Sequence, residues 1–576
     1  MSIVDISIVV STFTKRGLAA LLASALLTLP AAKATARTPS EVPSPSLHLA
    51  VYLLGDAQFI PAFGYGSALD AVAAAQRDCF ARSKGEACDL HIVLSLPKRN
   101  CAAYAFEDKD RKRWYWEDGK TLDAARSAVN GICSRNNIAC APALSVCADG
   151  SHLAAAERSA LKLPAALAWP TPRFPDPLAP RSADLNARIY DMARNLTYQR
   201  FYDRLHLIAK SWTEPDPKHR ARVLAARTAS AFAALVNQDL ARIERSHTGL
   251  YTPDDVFYYL LVDVFRGSLP VHALVKATHG DLPLPLPSIG AFVKTVEGRH
   301  YVDSLLEGAA ADVAGLRYGD EIVHVDGQPF TPVRVFRDKV GTSVRIGIRR
   351  SAGGAVAEKE VAVKGLVPHE AFRDATGKSV RIVERSGRRI GYFRVWSSVG
   401  RLASDAFESA LARLQAEKAE ALIIDARGAI GGNLGTVRRY MALLNANDGP
   451  ARSWARDRIV LLIDHHTRSA GEVFAQMFRN AKLGRIIGTT TAKAVIGSRL
   501  YPLPDGSLLY LPIQRIDIAG VVLEGRGVAP DLVVERPLAY AAGADPVLER
   551  ALALLADSQS ASPPPAAPAA PAPAPK

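Results

Sequence analysis

Outside the window from Cys79 to Cys147 this 576-residue sequence contains no cysteine, and all six of its cysteines lie inside that window. After one apolar run near the N terminus, no second stretch reaches the roughly 20 residues that a membrane-spanning helix needs, which excludes a polytopic membrane protein. Uninterrupted blocks of Lys and Arg with interleaved aromatics are also missing. The formal charge of +14, from 71 basic and 57 acidic side chains, therefore reads as a solvated surface and not as a nucleic-acid footprint. What is present is apolar content: 48% of the residues, too much for wholesale disorder. At about 100 to 200 residues per domain, the length predicts three or four folded units.

The two ends differ from the rest. Lys15 and Arg16 precede the apolar run Leu18 to Leu29, and the small-residue string Ala31-Ala32-Lys33-Ala34-Thr35-Ala36 follows. This pattern predicts a secretory signal over residues 1–36, cleaved after Ala34 or Ala36. The mature chain is then expected across an inner membrane, in an oxidising compartment such as a bacterial periplasm, with no membrane span left after cleavage. There, six cysteines are most simply three disulfides. Residues 558–576 are almost entirely Pro, Ala and Ser, a composition that predicts a disordered, partly polyproline tail.

Residues 48–150 contain a half-repeat. Leu69-Asp70-Ala71 ending at Cys79 recurs as Leu122-Asp123-Ala124 ending at Cys133, each an Ala-rich helix running into a cysteine. Each copy soon meets a second cysteine, so Cys79 with Cys88 and Cys133 with Cys140 are the expected local pairs, leaving Cys101 for Cys147, although six cysteines allow many other connectivities. A zinc site is the rival, but paired CxxC knuckles are lacking. The segment resembles a small bacterial secreted domain of unassigned function that occurs in tandem half-repeats. That resemblance implies a binding or stabilising accessory.

After a Pro-rich linker near Pro164 to Pro180, residues 183–285 read as helical, with Leu185, Ile189, Met192 and Leu196 at helical spacing and an interruption at Pro215-Asp216-Pro217. A later helix carrying Leu235, Leu240 and Ile243 is expected to stop at Ser246-His247-Thr248-Gly249. Residues 286–365 change to short β-like runs, and Ala311 to Phe330 reads ADVAGLRYGDEIVHVDGQPF, a short helix, a turn, a strand and the Asp326-Gly327 hairpin turn. This stretch resembles a PDZ domain. The resemblance implies that backbone amides near Ile289, Gly290 and Ala291 receive a peptide carboxylate while the peptide adds a strand to a sheet edge. Residues 388–554 alternate strands with helices: a strand Ile390 to Val395, a helix Ala403 to Gln415, a strand Ala421 to Asp425, a helix Leu434 to Leu444, a strand Arg458 to Ile463, a helix Ala470 to Phe478, and strands around Ile486, Leu508 and Leu532. That order predicts an α/β core with crossover helices.

Val460 to Phe478 reads VLLIDHHTRSAGEVFAQMF, a buried strand that ends in a polar turn and enters a helix at Ser469. A serine there sits at the positive end of the helix dipole, where backbone amides can bind the oxyanion of an acyl-transfer intermediate; it is equally a favoured helix cap. Ile423 to Gly435 reads IIDARGAIGGNLG, a strand and a Gly-rich loop able to bring amides close to a ligand. Neither GxGxxG nor the GKS/T of a P-loop is present, so a phosphate cradle is not expected. Asp464, His465 and His466 are neighbours in sequence, and such neighbours seldom point to one metal centre.

Six stretches carry a family resemblance: SHTGLYTPDD at Ser246, the PDZ-like run, IGYFRV at Ile390, IIDARGAIGG at Ile423, TRSAGE at Thr467 and EGRGVAPD at Glu524. Over about Ala183 to Leu554 the chain resembles the tail-specific or C-terminal-processing serine peptidases, including their tricorn-like branch. The resemblance implies a ClpP/crotonase-like α/β core, Ser469 as nucleophile, and the amides of Ala470 and the Gly431-Gly432 turn as oxyanion hole. Many members use a lysine about two dozen residues after the serine, which here falls on Lys493 without the usual flanking glycines. The tricorn-like branch instead uses a Ser-His pair ahead of the PDZ domain and a later glutamate. Ser246, His247 and Glu524 match those positions, so His247 is implied as base, oriented by Ser246 and Glu524. The family's usual Asn and Pro of the Gly-rich loop are Ala429 and Ile430 here.

The sequence thus predicts a multidomain protein: an N-terminal disulfide-rich α+β domain, a helical segment, an inserted PDZ domain and an α/β peptidase core. The expected activity is a secreted serine endopeptidase that captures polypeptides through the PDZ domain and cleaves them through an acyl-enzyme on Ser469, with no metal or organic cofactor and no nucleic-acid partner. The alternative is a catalytically silent peptide-binding scaffold that keeps the peptidase fold. Because the proposed chemistry lies in the cysteine-free part, the disulfides are expected to support a separate module.

Overall fold

The computed structural model describes residues 46–55, 58–65, 67–97, 100–107, 110–147, 149, 180–280, 282–445, 454 and 456–557. The expected signal over 1–36, almost all of the Pro-rich linker and the tail over 558–576 lie outside the described residues. Among the described residues no helix is long and apolar enough to cross a membrane.

The first part is two copies of one strand–strand–helix–strand unit. Strands Ser46–Leu54, Gln58–Tyr65 and Cys88–Pro97 surround the helix Ala68–Arg82 in sequence; Cys101–Glu107, Asp110–Gly119 and Cys140–Cys147 do the same for Leu122–Arg135. In each copy the first strand is the centre of a three-stranded antiparallel sheet. Both helices start on a hydroxyl cap that accepts a backbone N–H three residues on, Ser67 from Asp70 and Thr121 from Ala124. Cys79 pairs with Cys88, Cys133 with Cys140, and Cys101 with Cys147, the connectivity expected from the spacing. The first two each tie a helix end to the next strand, and the third joins residues directly opposite in the sheet.

The first copy is not a free-standing module. Ala50, Tyr52, Ile60, Val72, Ala75 and Cys79 share one continuous buried cluster with Ile189, Leu196, Trp212, Phe232, Leu250 and Leu509 of the later chain. Polar contacts seal the same seam: Arg188 donates to the carbonyls of Phe80 (2.8 Å) and Ser83 (3.3 Å), and Arg200 pairs with Asp89 at 2.8 Å. The separate disulfide-supported module expected from the cysteine distribution is therefore, in its first half, part of the main core.

The helical segment runs through Ala183–Arg200, Arg204–Ala209, Pro217–Leu224, Ala229–Ala241, Val256–Val264 and Leu269–His279. The helix expected to stop at Ser246–Gly249 ends sooner, at Ala241. Gly249–Tyr251 is instead a strand, which completes a three-stranded sheet with Leu508–Arg515 and Ile496–Pro502. Residues 286–365 enter and leave through a paired clasp, Leu286–Ser288 against Lys364–Leu366. Between these lies a five-stranded antiparallel sheet ordered Ala357–Ala362, Ser343–Arg349, Glu321–Val325, Arg299–Leu305, Ala291–Val296, with its own core around Val302, Ile322 and Ile346.

The α/β part is built on a six-stranded sheet whose spatial order follows the sequence: Arg381–Arg385, Arg388–Arg394, Ala421–Asp425, Ile459–Ile463, Arg485–Gly488, Leu532–Val533. The first pair is antiparallel and the rest are parallel. The sheet begins with Arg381–Arg385, ahead of the strand read from the sequence. ALIID and IVLLI are buried at every position, the apolar signature of strands covered on both faces. Alternate residues feed two cores: Leu422, Ile424, Leu461 and Ile463 pack under the helices Gly400–Ala416, Leu434–Asn445 and Ala470–Asn480, while Ile423, Val460 and Leu462 pack against Pro546–Asp557.

Candidate active site

The strand Ile459–Ile463 delivers the chain to a tight turn fastened by Asp464, whose Oδ1 accepts from the N–H of Gly428 (2.9 Å), His466 (3.1 Å) and Thr467 (2.9 Å). The same carboxylate thus ties the Gly-rich loop to the serine loop. Ser469 follows at the head of Ala470–Asn480, with φ 53° and ψ −123°, a left-handed backbone that costs a non-glycine residue about 1–3 kcal/mol. Its N–H is held from two sides, by the Ala494 carbonyl (2.9 Å) and by Glu472 Oε2 (3.1 Å).

Glu472 is fully buried and organises the whole loop. Besides Ser469 N it accepts from Thr491 Oγ1 (2.6 Å), Lys493 N (2.9 Å) and Ala494 N (2.8 Å). Burial pushes its carboxyl above the ordinary value despite these donors. Its role was absent from the residues singled out in the sequence, although the spacing Ser469-x-x-Glu472 is that of a capping box.

Two glycines close the other side. Gly431 has φ 89°, and a Cβ there would stand 2.8 Å from Ser469 Cβ. Gly432 has φ 145°, and its Cβ would meet the Ser398 carbonyl oxygen at 2.2 Å. The loop can approach the serine only because neither position carries a side chain. Among the described residues, no hydrogen bond takes up the N–H of Gly431, Gly432 or Ala470.

His247 arrives by the Gly249–Tyr251 strand. Pairing of Gly249 with Tyr510 sets the His247 ring 5.3 Å from the Tyr510 ring, in a loop with φ 56°. Ser246 Oγ lies 2.7 Å from His247 Nδ1 and donates to Glu524 Oε2 at 2.7 Å. Glu524 also accepts from Ser246 N (2.8 Å) and Val495 N (2.9 Å). The proton count fixes the tautomer: Ser246 has one hydroxyl proton and spends it on the carboxylate, so His247 Nδ1 must donate to Ser246, leaving Nε2 unprotonated.

Ser469, Ala470, Gly432 and His247 line one cavity of about 250 Å³. Ser469 Oγ and the His247 ring are not hydrogen-bonded to each other among the described residues. Lys493 lies elsewhere: its residue is exposed, with φ 63°, and it does not line the cavity. Ile289, Gly290 and Ala291 do not line the serine cavity. Ile289 is buried and Gly290 N donates to Ser288 Oγ at 3.0 Å, while Ala291 opens a strand at the sheet edge. His465 and His466 face the inserted domain, His465 Nε2 at 3.1 Å from Lys294 Nζ and His466 Nε2 at 3.4 Å from Asp303.

Burial, and secondarily the charge of Arg468, lowers the His247 pKa to about 3. The imidazole is then a neutral base throughout mild acid and loses that form only as pH falls towards its depressed value. A histidine of ordinary pKa, about 6.5, would already be mostly protonated at pH 5. The acid limb of kcat/KM is expected below about pH 5; a limb centred near 6.5 in a pH–rate profile would show that the free enzyme does not desolvate this imidazole.

A mostly parallel α/β sheet that presents a serine on a helix N-terminus, beside a relay of a buried histidine with a half-buried serine and glutamate, is the arrangement of serine-type peptidases. Residues 389–534 match the model of peptidase family S41. Over that region the chain is similar to tail-specific and tricorn-type peptidases. Residues 55–147 match a domain of unknown function, DUF4189. The carboxy-terminal processing protease CtpB of Bacillus subtilis is 25% identical over 280 residues, 44% of this chain and 56% of that protein. Tricorn protease homolog 1 of Streptomyces coelicolor is 28% identical over 42% of this chain and 24% of its own length. The tail-specific protease of Haemophilus influenzae is 26% identical over 45% of this chain and 42% of its own. The chain therefore spans from about a quarter to just over half the length of these relatives. Among solved structures, the photosystem II D1 C-terminal processing protease superposes with a TM-score of 0.39 at 18% identity, over 60% of this chain and 92% of that one.

Proposed function

We propose that the chain is a serine endopeptidase that cleaves polypeptides through an acyl-enzyme on Ser469, with His247 as general base. The observation that carries this reading is the relay Glu524–Ser246–His247, which leaves Nε2 free on the wall of the cavity that Ser469 also lines. Ser469 Oγ attacks the scissile carbonyl as His247 Nε2 takes its proton. The N–H groups of Ala470 and of the Gly431-Gly432 turn stabilise the oxyanion. His247 then protonates the departing amine, leaving an ester on Ser469. Water attacks that ester, again giving its proton to His247, and Ser469 is regenerated. The unmade contact between Ser469 and His247 forms when substrate orders the site, as is common for catalytic hydrogen bonds in empty sites.

The inserted domain, in this reading, is a PDZ domain that captures an extended chain along its open edge strand Ala291–Val296. Gly290 N must exchange Ser288 Oγ for the peptide carboxylate. Secretion to a periplasm, after loss of residues 1–36, fits the three disulfides.

A fluorophosphonate probe should label the purified protein, and Ser469→Ala should remove the label. No Ser469-dependent labelling of folded protein assigns the chain to the silent peptide-binding scaffold instead.

A further inference from the structure

The cavity beside Ser469 has one charged wall residue that the proposed chemistry does not use. Phe257, Leu261, Val399, Ile430, Leu434 and Val473 make much of its wall apolar, and among the described residues no Asp or Glu lines it. Arg468 does line it, half-buried, with its guanidinium 5.2 Å from the centre of the Phe257 ring. No carboxylate or other hydrogen-bond acceptor among the described residues pairs with that guanidinium. Buried arginines elsewhere are treated differently: Arg427 is clamped between Asp425 and Asp545, Arg181 pairs with Asp505, and Arg194 with Asp239. The charge of Arg468 is felt inside the cavity, where it opposes protonation of His247 and favours ionisation of Tyr510.

A half-buried guanidinium that makes no ion pair keeps its donors available to an anion entering the cavity, and a guanidinium matches a carboxylate with two parallel hydrogen bonds. We propose that Arg468 is the carboxylate-binding residue of this cavity, taking an anionic group of the polypeptide within one or two residues of the scissile bond. The short range follows from the chain. Arg468 is the immediate neighbour of Ser469 and lines the same cavity, so its guanidinium lies within one side-chain length of the serine, while each extended substrate residue advances about 3.3–3.6 Å. Two sources share this chemistry, the α-carboxylate at a chain terminus and the side chain of an internal Asp or Glu. The inference rests on the reading of this cavity as the substrate site.

Its test is binding to the Ser469→Ala protein, which needs no turnover. The probe is a fluorescein-labelled octapeptide of alanine and leucine, prepared as the free acid, as the C-terminal amide, and as the amide with Glu or Gln at each position in turn. At least one carboxylate form should bind about 10- to 100-fold tighter than its neutral counterpart by fluorescence anisotropy. Arg468→Gln should erase that difference, and Arg468→Lys, which keeps the charge but not the fork, should retain part of it. Free acid over amide assigns the terminal carboxylate; Glu over Gln assigns the side chain. Equal binding of charged and neutral forms, or a preference that survives in Arg468→Gln, overturns the proposal. Peptide hydrolysis by the unmodified protein without an Arg468-dependent preference sinks this inference and leaves the peptidase standing. Arg468-dependent binding with no hydrolysis keeps the site and sinks the peptidase.

Discussion

His247→Ala is expected to lower kcat/KM for peptide hydrolysis by about four to six orders of magnitude, as loss of the base does in other serine peptidases, whereas Lys493→Ala should keep most of the activity. The contrast follows from position. His247 is 4% exposed, has its Nδ1 proton committed to Ser246, and shares a cavity with Ser469. Lys493 is exposed and outside that cavity, so its side chain is not placed to take a proton from Ser469. Its backbone matters more than its side chain, since Lys493 N donates to Glu472 and Lys493 O accepts from Gly525 N at 2.8 Å. Thermal unfolding of both variants should match the unmodified protein closely enough to assign the difference to chemistry. Near-full activity in His247→Ala with loss in Lys493→Ala would reverse the assignment.

Much of this site could be read from the sequence because its parts are local. IVLLI followed by a polar turn and a helix is visible in one line of text, and so is the glycine pair at Gly431. The pairing of Cys79 with Cys88 and of Cys133 with Cys140 is local too, and was expected. What the sequence hides is set by contacts between distant segments. Three residues, Gly249–Tyr251, become a strand only because Leu508–Arg515 offers them an edge, so pattern alone extends the preceding helix to Gly249 when it ends at Ala241. The shared core of the first half-repeat is hidden for the same reason. Ala71 and Ala75 are small residues of ordinary helical text, and nothing local says that their helix is buried against another part of the chain.

Glu472→Ala should cost more than about 3 kcal/mol of stability, a large part of the 5–15 kcal/mol typical of a domain. Four donors converge on this one buried carboxylate, Ser469 N, Lys493 N, Ala494 N and Thr491 Oγ1; Ser469 N keeps the Ala494 carbonyl, but each of the other three left unpaired in the interior costs about 1–3 kcal/mol. Thr491 recovers little by turning, because its oxygen already accepts from Val528 N at 2.8 Å. Glu472→Gln separates folding from function more finely. Oε1 serves Thr491 and Lys493 while Oε2 serves Ser469 and Ala494, so an amide in either orientation sets its NH2 against two donors. The expected result is a folded variant with a lower unfolding midpoint and a slower fluorophosphonate reaction at Ser469, measured well below that midpoint. A change in kcat with little change in KM marks Glu472 as a residue that positions the serine loop, because substrate never touches it. If Glu472→Gln loses stability but labels at the unmodified rate, the glutamate only holds the fold together, and the geometry of Ser469 must be set by the Ala494 carbonyl and the glycine loop.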